Sequence, residues 1–142
     1  MKKLLILAAL LIGCSIVEAQ MGLATTALPL AAKINANKTV YRDFTLYRYS
    51  ADGVFYKAYY DNRGVWLHTI LSYAEGNLPA SVKDRIRSAY GHYTISWVDE
   101  IRAPDQLPLY RVELNNSRKF LVVQVNEEDM EQEAEYEHQY EH

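Results

Sequence analysis

The side chains that could carry chemistry are few: one cysteine, Cys14, and four histidines, of which His68 and His92 fall in the body of the chain and His138 and His142 at its end. Nucleophilic catalysis needs a Ser, Cys or Thr beside a base and an acid that orients the base. Cys14 sits in an apolar N-terminal run, and neither a G-x-S-x-G elbow nor a glycine-rich phosphate loop occurs. Metal sites need ligands clustered at a workable spacing. His68 and His92 have no Cys or His near them in sequence, and Asp61-Asn62-Arg63-Gly64 lacks the further carboxylates of a calcium loop. His138 and His142 would share one face of a helix, but in a segment too polar to be held rigid by a core. The sequence therefore implies no catalytic centre, no metal and no cofactor.

What remains is aromatic. Twelve tyrosines are present, six of them from Tyr41 to Tyr60. Side chains alternate between the two faces of a strand. If Tyr56, Ala58 and Tyr60 face a covering helix, then Phe55, Lys57 and Tyr59 point the other way. The same alternation sends Leu67 inward and puts Trp66, His68 and Ile70 on the outer face, with Tyr47 and Tyr49 as further candidates. A solvated sheet face normally carries Thr, Lys, Glu or Ser. Aromatic rings with a few charges are instead the composition of protein-interface hot spots, and large exposed apolar patches usually mark binding. The expected site is thus a partner-binding face of Tyr47, Tyr49, Phe55, Lys57, Tyr59, Trp66, His68 and Ile70. A second copy of the sheet lying on it would make a homodimer.

The elements that must position this face are legible from turn residues and periodicity. Aromatic and β-branched residues suit strands, and residues 44–49, 54–60 and 65–73 read as three of them. Asp52-Gly53 supplies a tight hairpin turn, and Asp61-Asn62-Arg63-Gly64 a second turn. Leu78-Pro79 opens a helix, since proline at the start of a helix gives up no intrahelical bond. Val82, Ile86, Ala89 and Tyr90 form its apolar stripe, and Gly91 stops it. Residues 92–101, 109–114 and 119–125 read as further strands, the last two joined by Asn115-Asn116-Ser117. This is an α+β fold: an antiparallel meander with a helix packed on one face.

The chain's ends read differently. Lys2-Lys3, an apolar run over residues 4–12 and small residues near Ala19 make residues 1–19 a secretion signal. The run is too short for a permanent span, which needs ~20 apolar residues. Val17-Glu18-Ala19 suits the general signal peptidase and a soluble product starting at Gln20, the favoured outcome. Leu11-Ile12-Gly13-Cys14 also resembles a lipobox, with Cys14 lipidated. Residues 20–39 read as a linker or an eroded first helix near Leu30 to Ile34, residues 40–126 as the α+β domain, and residues 127–142 as an acidic disordered tail. Net charge is −3, yet residues 127–142 hold eight acidic side chains and no Lys or Arg, while residues 20–126 are positive. That surplus is modest, and an adjacent acidic segment competes with phosphate, so nucleic acid is not an expected partner. The implied location is the periplasm or the exterior, or the envelope through a lipid, which is the one expected membrane contact.

The two halves resemble each other. Tyr56-Lys57-Ala58-Tyr59-Tyr60 before Trp66-Leu67 matches Tyr110-Arg111-Val112-Glu113-Leu114 before Phe120-Leu121 at a constant offset of 54 residues. The pattern predicts a tandem duplication of a helix-plus-strands unit. Lys57-Ala58-Tyr59-Tyr60-Asp61-x-x-Gly64-x-Trp66, Leu78-Pro79-x-x-Val82-x-x-x-Ile86, Tyr90-x-x-Tyr93-x-Ile95 and Tyr110-x-Val112-x-Leu114 resemble the PepSY-like family of exported bacterial domains. That family is related in fold to beta-lactamase-inhibitory protein. The resemblance spans residues 40–125 and implies a curved antiparallel sheet with helix on one face. It also implies a non-catalytic, inhibitor-like module that binds another exported or envelope protein. The alternative is an envelope structural or scaffold lipoprotein with no discrete ligand. The acidic tail and the weak first helix depart from the family pattern.

Overall fold

The computed structural model describes residues 36–138. The expected signal, Cys14, the cleavage sites, the helix near Leu30 to Ile34 and His142 lie outside them. Eight strands form one antiparallel sheet in which the spatial order equals the chain order. They are β1 (Asn37–Val40), β2 (Phe44–Ala51), β3 (Val54–Asp61), β4 (Trp66–Tyr73), β5 (Thr94–Arg102), β6 (Leu109–Asn115), β7 (Lys119–Val125) and β8 (Met130–Glu137). Helix α1 (Ala80–Ala89) interrupts the meander between β4 and β5, after a short 3-10 turn at Glu75–Asn77.

Local chemistry sets the turns. Asp52 and Gly53 both take positive φ, 51° and 76°, the backbone of a two-residue hairpin turn whose twist matches its strands. Asp61 closes the next turn by accepting the Arg63 and Val65 N–H groups at 2.9 and 2.8 Å. Asn116 and Asn126 do the same with side-chain oxygens: Asn116 accepts from Arg118 and Lys119, and Asn126 from Glu128 and Asp129. Short polar side chains that mimic a backbone acceptor explain why these positions turn.

The helix begins after Pro79, as its sequence predicts, and ends at Tyr90, whose N–H reaches the Ile86 carbonyl. Gly91 does not stop it through a left-handed conformation. A Cβ there would sit 3.1 Å from the Arg87 carbonyl oxygen, a tight contact that asks the backbone to give by a few tenths of an ångström. Ile86 is the helix's one buried side chain, and Val82 and Tyr90 pack beside it. They join a cluster with Leu71 and Tyr73 of β4, Val98 of β5, Tyr110, Val112 and Leu114 of β6, and Leu121, Val123 and Val125 of β7. Every second residue of β6 and β7 therefore meets the helix side, the alternation expected of a sheet covered on one face. Arg85 donates to the carbonyls of Asn126 and Glu127 at 2.6 and 2.8 Å, tying α1 to the β7–β8 turn.

Two expectations about the ends are corrected. Residues 37–39, read as linker, join Val40 in β1, in register with Thr45 to Arg48; a four-residue strand ending in Thr39 and Val40 is too short to show a period. The disordered acidic tail is also overturned, because residues 130–137 form β8, paired along β7. Met130 packs on the core cluster, and Tyr136 lies 6.0 Å from Phe120. Arg111 binds Glu133 at 2.8 Å, and Lys119 binds Glu135. A charge block reads as disorder only while the cations that neutralise it, on β6 and β7, are unseen.

The Lys119 hydrogen bond holds the Glu135 carboxyl below its ordinary range. A carboxylate depressed in the fold stabilises above its unfolded pKa and loses that contribution as pH falls toward the folded value. Hydrogen exchange should thus show β8 amides protected at neutral pH. Their protection should drop ahead of β6 and β7 on acidification below about pH 4.5. Unprotected β8 amides at neutral pH would restore the disordered tail.

Candidate functional site

Cross-strand register assigns each of the eight expected site residues to a face, and it divides them. Phe55 pairs with Ser50 and Ser72, Lys57 with Arg48 and Ile70, and Tyr59 with Leu46 and His68. These five, Phe55, Lys57, Tyr59, His68 and Ile70, share the side of the pleat opposite α1, as expected. Tyr47 pairs with Ala58 and Tyr49 with Tyr56, which places both on the helix side. Trp66 is the third correction. The β3–β4 register shifts between Tyr59 and Tyr60, so that Tyr59 faces His68 but Tyr60 faces Trp66. The extra residue is Leu67, which is left 42% exposed. A β-bulge of one residue reverses the face of what precedes it, so Trp66 turns to the helix side and Leu67 loses the inward position that strict alternation gave it. The Trp66 indole N–H donates to Thr69 Oγ1 at 2.9 Å, fixing the ring there.

The open face keeps a run of stacked rings. Tyr41 stacks on Phe44 at 4.5 Å, Phe44 meets Tyr59 at 5.6 Å, and Tyr59 stacks on His68 at 4.4 Å and 18°. Beside it Phe55, 53% exposed, lies 6.3 Å from Trp97, and Ile70 pairs with Ile101, which pairs with Leu109. Trp97, Ile101 and Leu109 escaped the sequence reading, although alternation along residues 97–101 would have found the first two. The other side of the same half carries its own cluster: Tyr47 meets Tyr60 edge-on at 5.5 Å, Tyr49 stacks on Tyr56 at 4.4 Å, and Trp66 and Ala36 pack on Ala58 and Tyr60. Aromatic surplus therefore has two destinations, and composition alone does not separate them.

Burial lowers the His68 pKa, so the neutral ring is the form that suits its place against Tyr59. His92 is exposed beside Tyr93, 6.1 Å away ring to ring. His138, just past the end of β8, meets Asn115 Oδ1 at 2.8 Å. The three are not brought together. Among the described residues no group of three or more His, Cys, Asp or Glu side chains is placed to hold a metal ion.

One buried ionic group went unnoticed in sequence. Glu100 is 4% exposed, and its carboxylate accepts from the Tyr73 hydroxyl at 2.7 Å and from Arg102 Nε at 2.5 Å. Burial and then the bond to Glu100 push the Tyr73 hydroxyl far above its ordinary range, and burial followed by the Glu100 charge raises Tyr110. These hydroxyls stay protonated, so Tyr73 acts as a fixed donor that partners an otherwise costly buried carboxylate. Alternation along β5 places Glu100 inward with Val98, and a charged residue at an inward position is the signal that would have exposed it.

An open eight-stranded antiparallel meander with one helix is the class of fold these observations define. Solved structures with a similar fold include three from Bacteroides. DUF2874 family proteins from Bacteroides uniformis and Bacteroides ovatus superpose with TM-scores of 0.57 and 0.58 at 12% and 10% identity. Each match covers 72% of this chain, and 76% and 74% of the respective neighbour. A protein of Bacteroides eggerthii, provisionally assigned to the periplasm, superposes with a TM-score of 0.57 at 8% identity, covering 72% and 76%. Identity this low establishes the fold alone. No family model and no curated protein matches the chain. Among the described residues no helix is long and apolar enough to cross a membrane.

Two measurements test the site's energetics. Tyr73→Phe should cost about 1–2 kcal/mol in denaturant unfolding, because one partner of a buried carboxylate is lost. Glu100→Ala should cost about 2–3 kcal/mol by leaving Tyr73 and the partly exposed Arg102 without their shared acceptor. Equal stability of wild type and both variants would refute a buried network. For His68 the sign runs the other way from a salt-bridged histidine. Its folded pKa lies below the unfolded one, so its contribution is complete above about pH 6.5 and is lost as pH falls toward the folded value. His68→Phe, which keeps the stacking surface, should remove part of the stability lost between about pH 7 and pH 5.

Proposed function

We propose that this chain is an exported, non-catalytic module that binds another protein through the sheet face opposite α1. The observation that carries the reading is the composition of that face. Phe55, Tyr59, His68, Ile70, Trp97 and Ile101 lie side by side on a surface over which no described helix or strand passes. A solvated antiparallel face is normally polar. Aromatic residues at the centre of a patch, ringed by charges, are the composition of hot spots. The corrected set omits Tyr47, Tyr49 and Trp66, which serve the helix side.

Membership of the PepSY-like family and an inhibitor-like role belong to the same reading. Support comes from the motifs at residues 57–66, 78–86 and 110–114. Tandem duplication is supported by the match of β3 and β4 to β6 and β7 at the offset noted in sequence. Export rests on Lys2-Lys3, the apolar run and Val17-Glu18-Ala19. Leu11-Ile12-Gly13-Cys14 favours the second reading, an envelope scaffold lipoprotein anchored at Cys14. Mass spectrometry of the mature N-terminus separates the two: a chain starting at Gln20 excludes the anchor.

The binding reading is tested by immobilising the full mature chain and its Tyr59→Ser/Trp97→Ser variant and exposing both to periplasmic extract. Loss of two hot-spot rings should weaken capture by about 30-fold or more while the melting curve stays cooperative. Undiminished capture by the folded variant would end this assignment of the face.

A further inference from the structure

The open face is apolar across its middle but cationic at one corner. Arg48 of β2 and Lys57 of β3 occupy facing register positions and point to the same side. Both are exposed, and among the described residues neither makes an ion pair. The Arg48 guanidinium donates to Thr39 Oγ1 at 3.2 Å and to the Tyr41 hydroxyl at 3.4 Å, two neutral acceptors that orient it without cancelling its charge. Like charges directly across a strand pair repel. Among the described residues the sheet's cation–carboxylate pairs, Arg63 with Asp61, Arg102 with Glu100, Arg111 with Glu133 and Lys119 with Glu135, lie on its β5–β8 half or in a turn. At the β2–β3 corner two facing cations stand without a carboxylate partner.

Two further features meet there. A cleft of about 250 Å³ opens beside the two cations, and Asn37, Ser50 and Phe55 line it with them. Phe55 contributes an apolar wall, its ring half in solvent.

We propose that this corner, formed by Asn37, Arg48, Ser50, Phe55 and Lys57, binds an acidic peptide segment of the partner protein. The inference rests on the binding role proposed above and adds the partner's chemistry. Arg48 presents a planar fork suited to a carboxylate and Lys57 a compact charge beside it. Phe55 takes an apolar side chain between the acids. A phosphate or an anionic lipid surface would engage the cations but would leave the Phe55 ring unused. The chain's own acidic strand is engaged on β7.

The test titrates the full mature chain with a fluorescent synthetic peptide of alternating glutamate and phenylalanine, read by anisotropy at low and high salt. Saturable binding is expected, weakening with salt. Arg48→Glu/Lys57→Glu should weaken it by about tenfold or more, and the milder Arg48→Gln/Lys57→Gln should fall between, which covers the case where charge reversal disturbs folding. Phe55→Ser should weaken it as well, whereas Arg63→Glu, at a distant exposed turn, should not. No binding, equal binding of a lysine–phenylalanine peptide, or an unaltered glutamine variant would overturn the proposal. So would binding of phosphatidylglycerol vesicles that matches the peptide's and survives Phe55→Ser. If the extract capture depends on Tyr59 and Trp97 but ignores Arg48 and Lys57, this inference fails and the open-face role stands. If it depends on none of the four, both fail.

Discussion

Coverage is the constraint from which the rest of this molecule follows. A helix of ten residues is roughly 15 Å long, while eight strands spaced about 4.8 Å apart span roughly 34 Å. One such helix shields a few strands and no more. Here it shields the β4–β7 part of one face, where Val98, Val112, Val123 and Val125 reach zero exposure. Over β2 and β3 the same side is closed by its own rings, with Ala58 and Tyr60 as the buried centre and Tyr47, Tyr49 and Trp66 around them. Large aromatic side chains do the covering that a backbone element does elsewhere, since each buries far more surface than an aliphatic one.

The buried carboxylate sits within the helix-covered part, on β5. Glu100, held by Tyr73 and Arg102, occupies an inward position of β5 next to Val98. A charge there is tolerable only because both of its oxygens are met, and that requirement fixes β4 and β5 in one register: a slip by one residue would move Tyr73 to the other face.

Much of this was readable from residue types. Asp52-Gly53, Pro79, the Val82–Ile86–Tyr90 stripe and the alternation of residues 110–114 and 121–125 each encode a local event, and each element is where they put it. The failures share a different cause. Trp66 changes sides because of a bulge at Leu67 that depends on how β4 meets β3, and no feature of β4 alone announces it. Tyr47 and Tyr49 follow Ala58 and Tyr56 only once the β2–β3 register is known. The acidic end becomes β8 because Arg111 and Lys119 stand opposite it, a fact of pairing and not of composition. Turn chemistry and period are local; bulges, register and charge neutralisation belong to two strands at once. The candidate site was correspondingly half legible: β3 and the His68–Ile70 end of β4 were assigned to the right face, and the flanking rings were not.

Strand order that follows chain order has a kinetic meaning as well. Each strand finds its neighbour immediately before it in the polypeptide, so most contacts close small loops, and loop-closure entropy stays low. The one long detour is the stretch carrying α1, between β4 and β5. A chain delivered from its N-terminal end need not wait for its last residues before its first hairpins close, and the late arrival is the half that holds the helix and the bulk of the aliphatic interior.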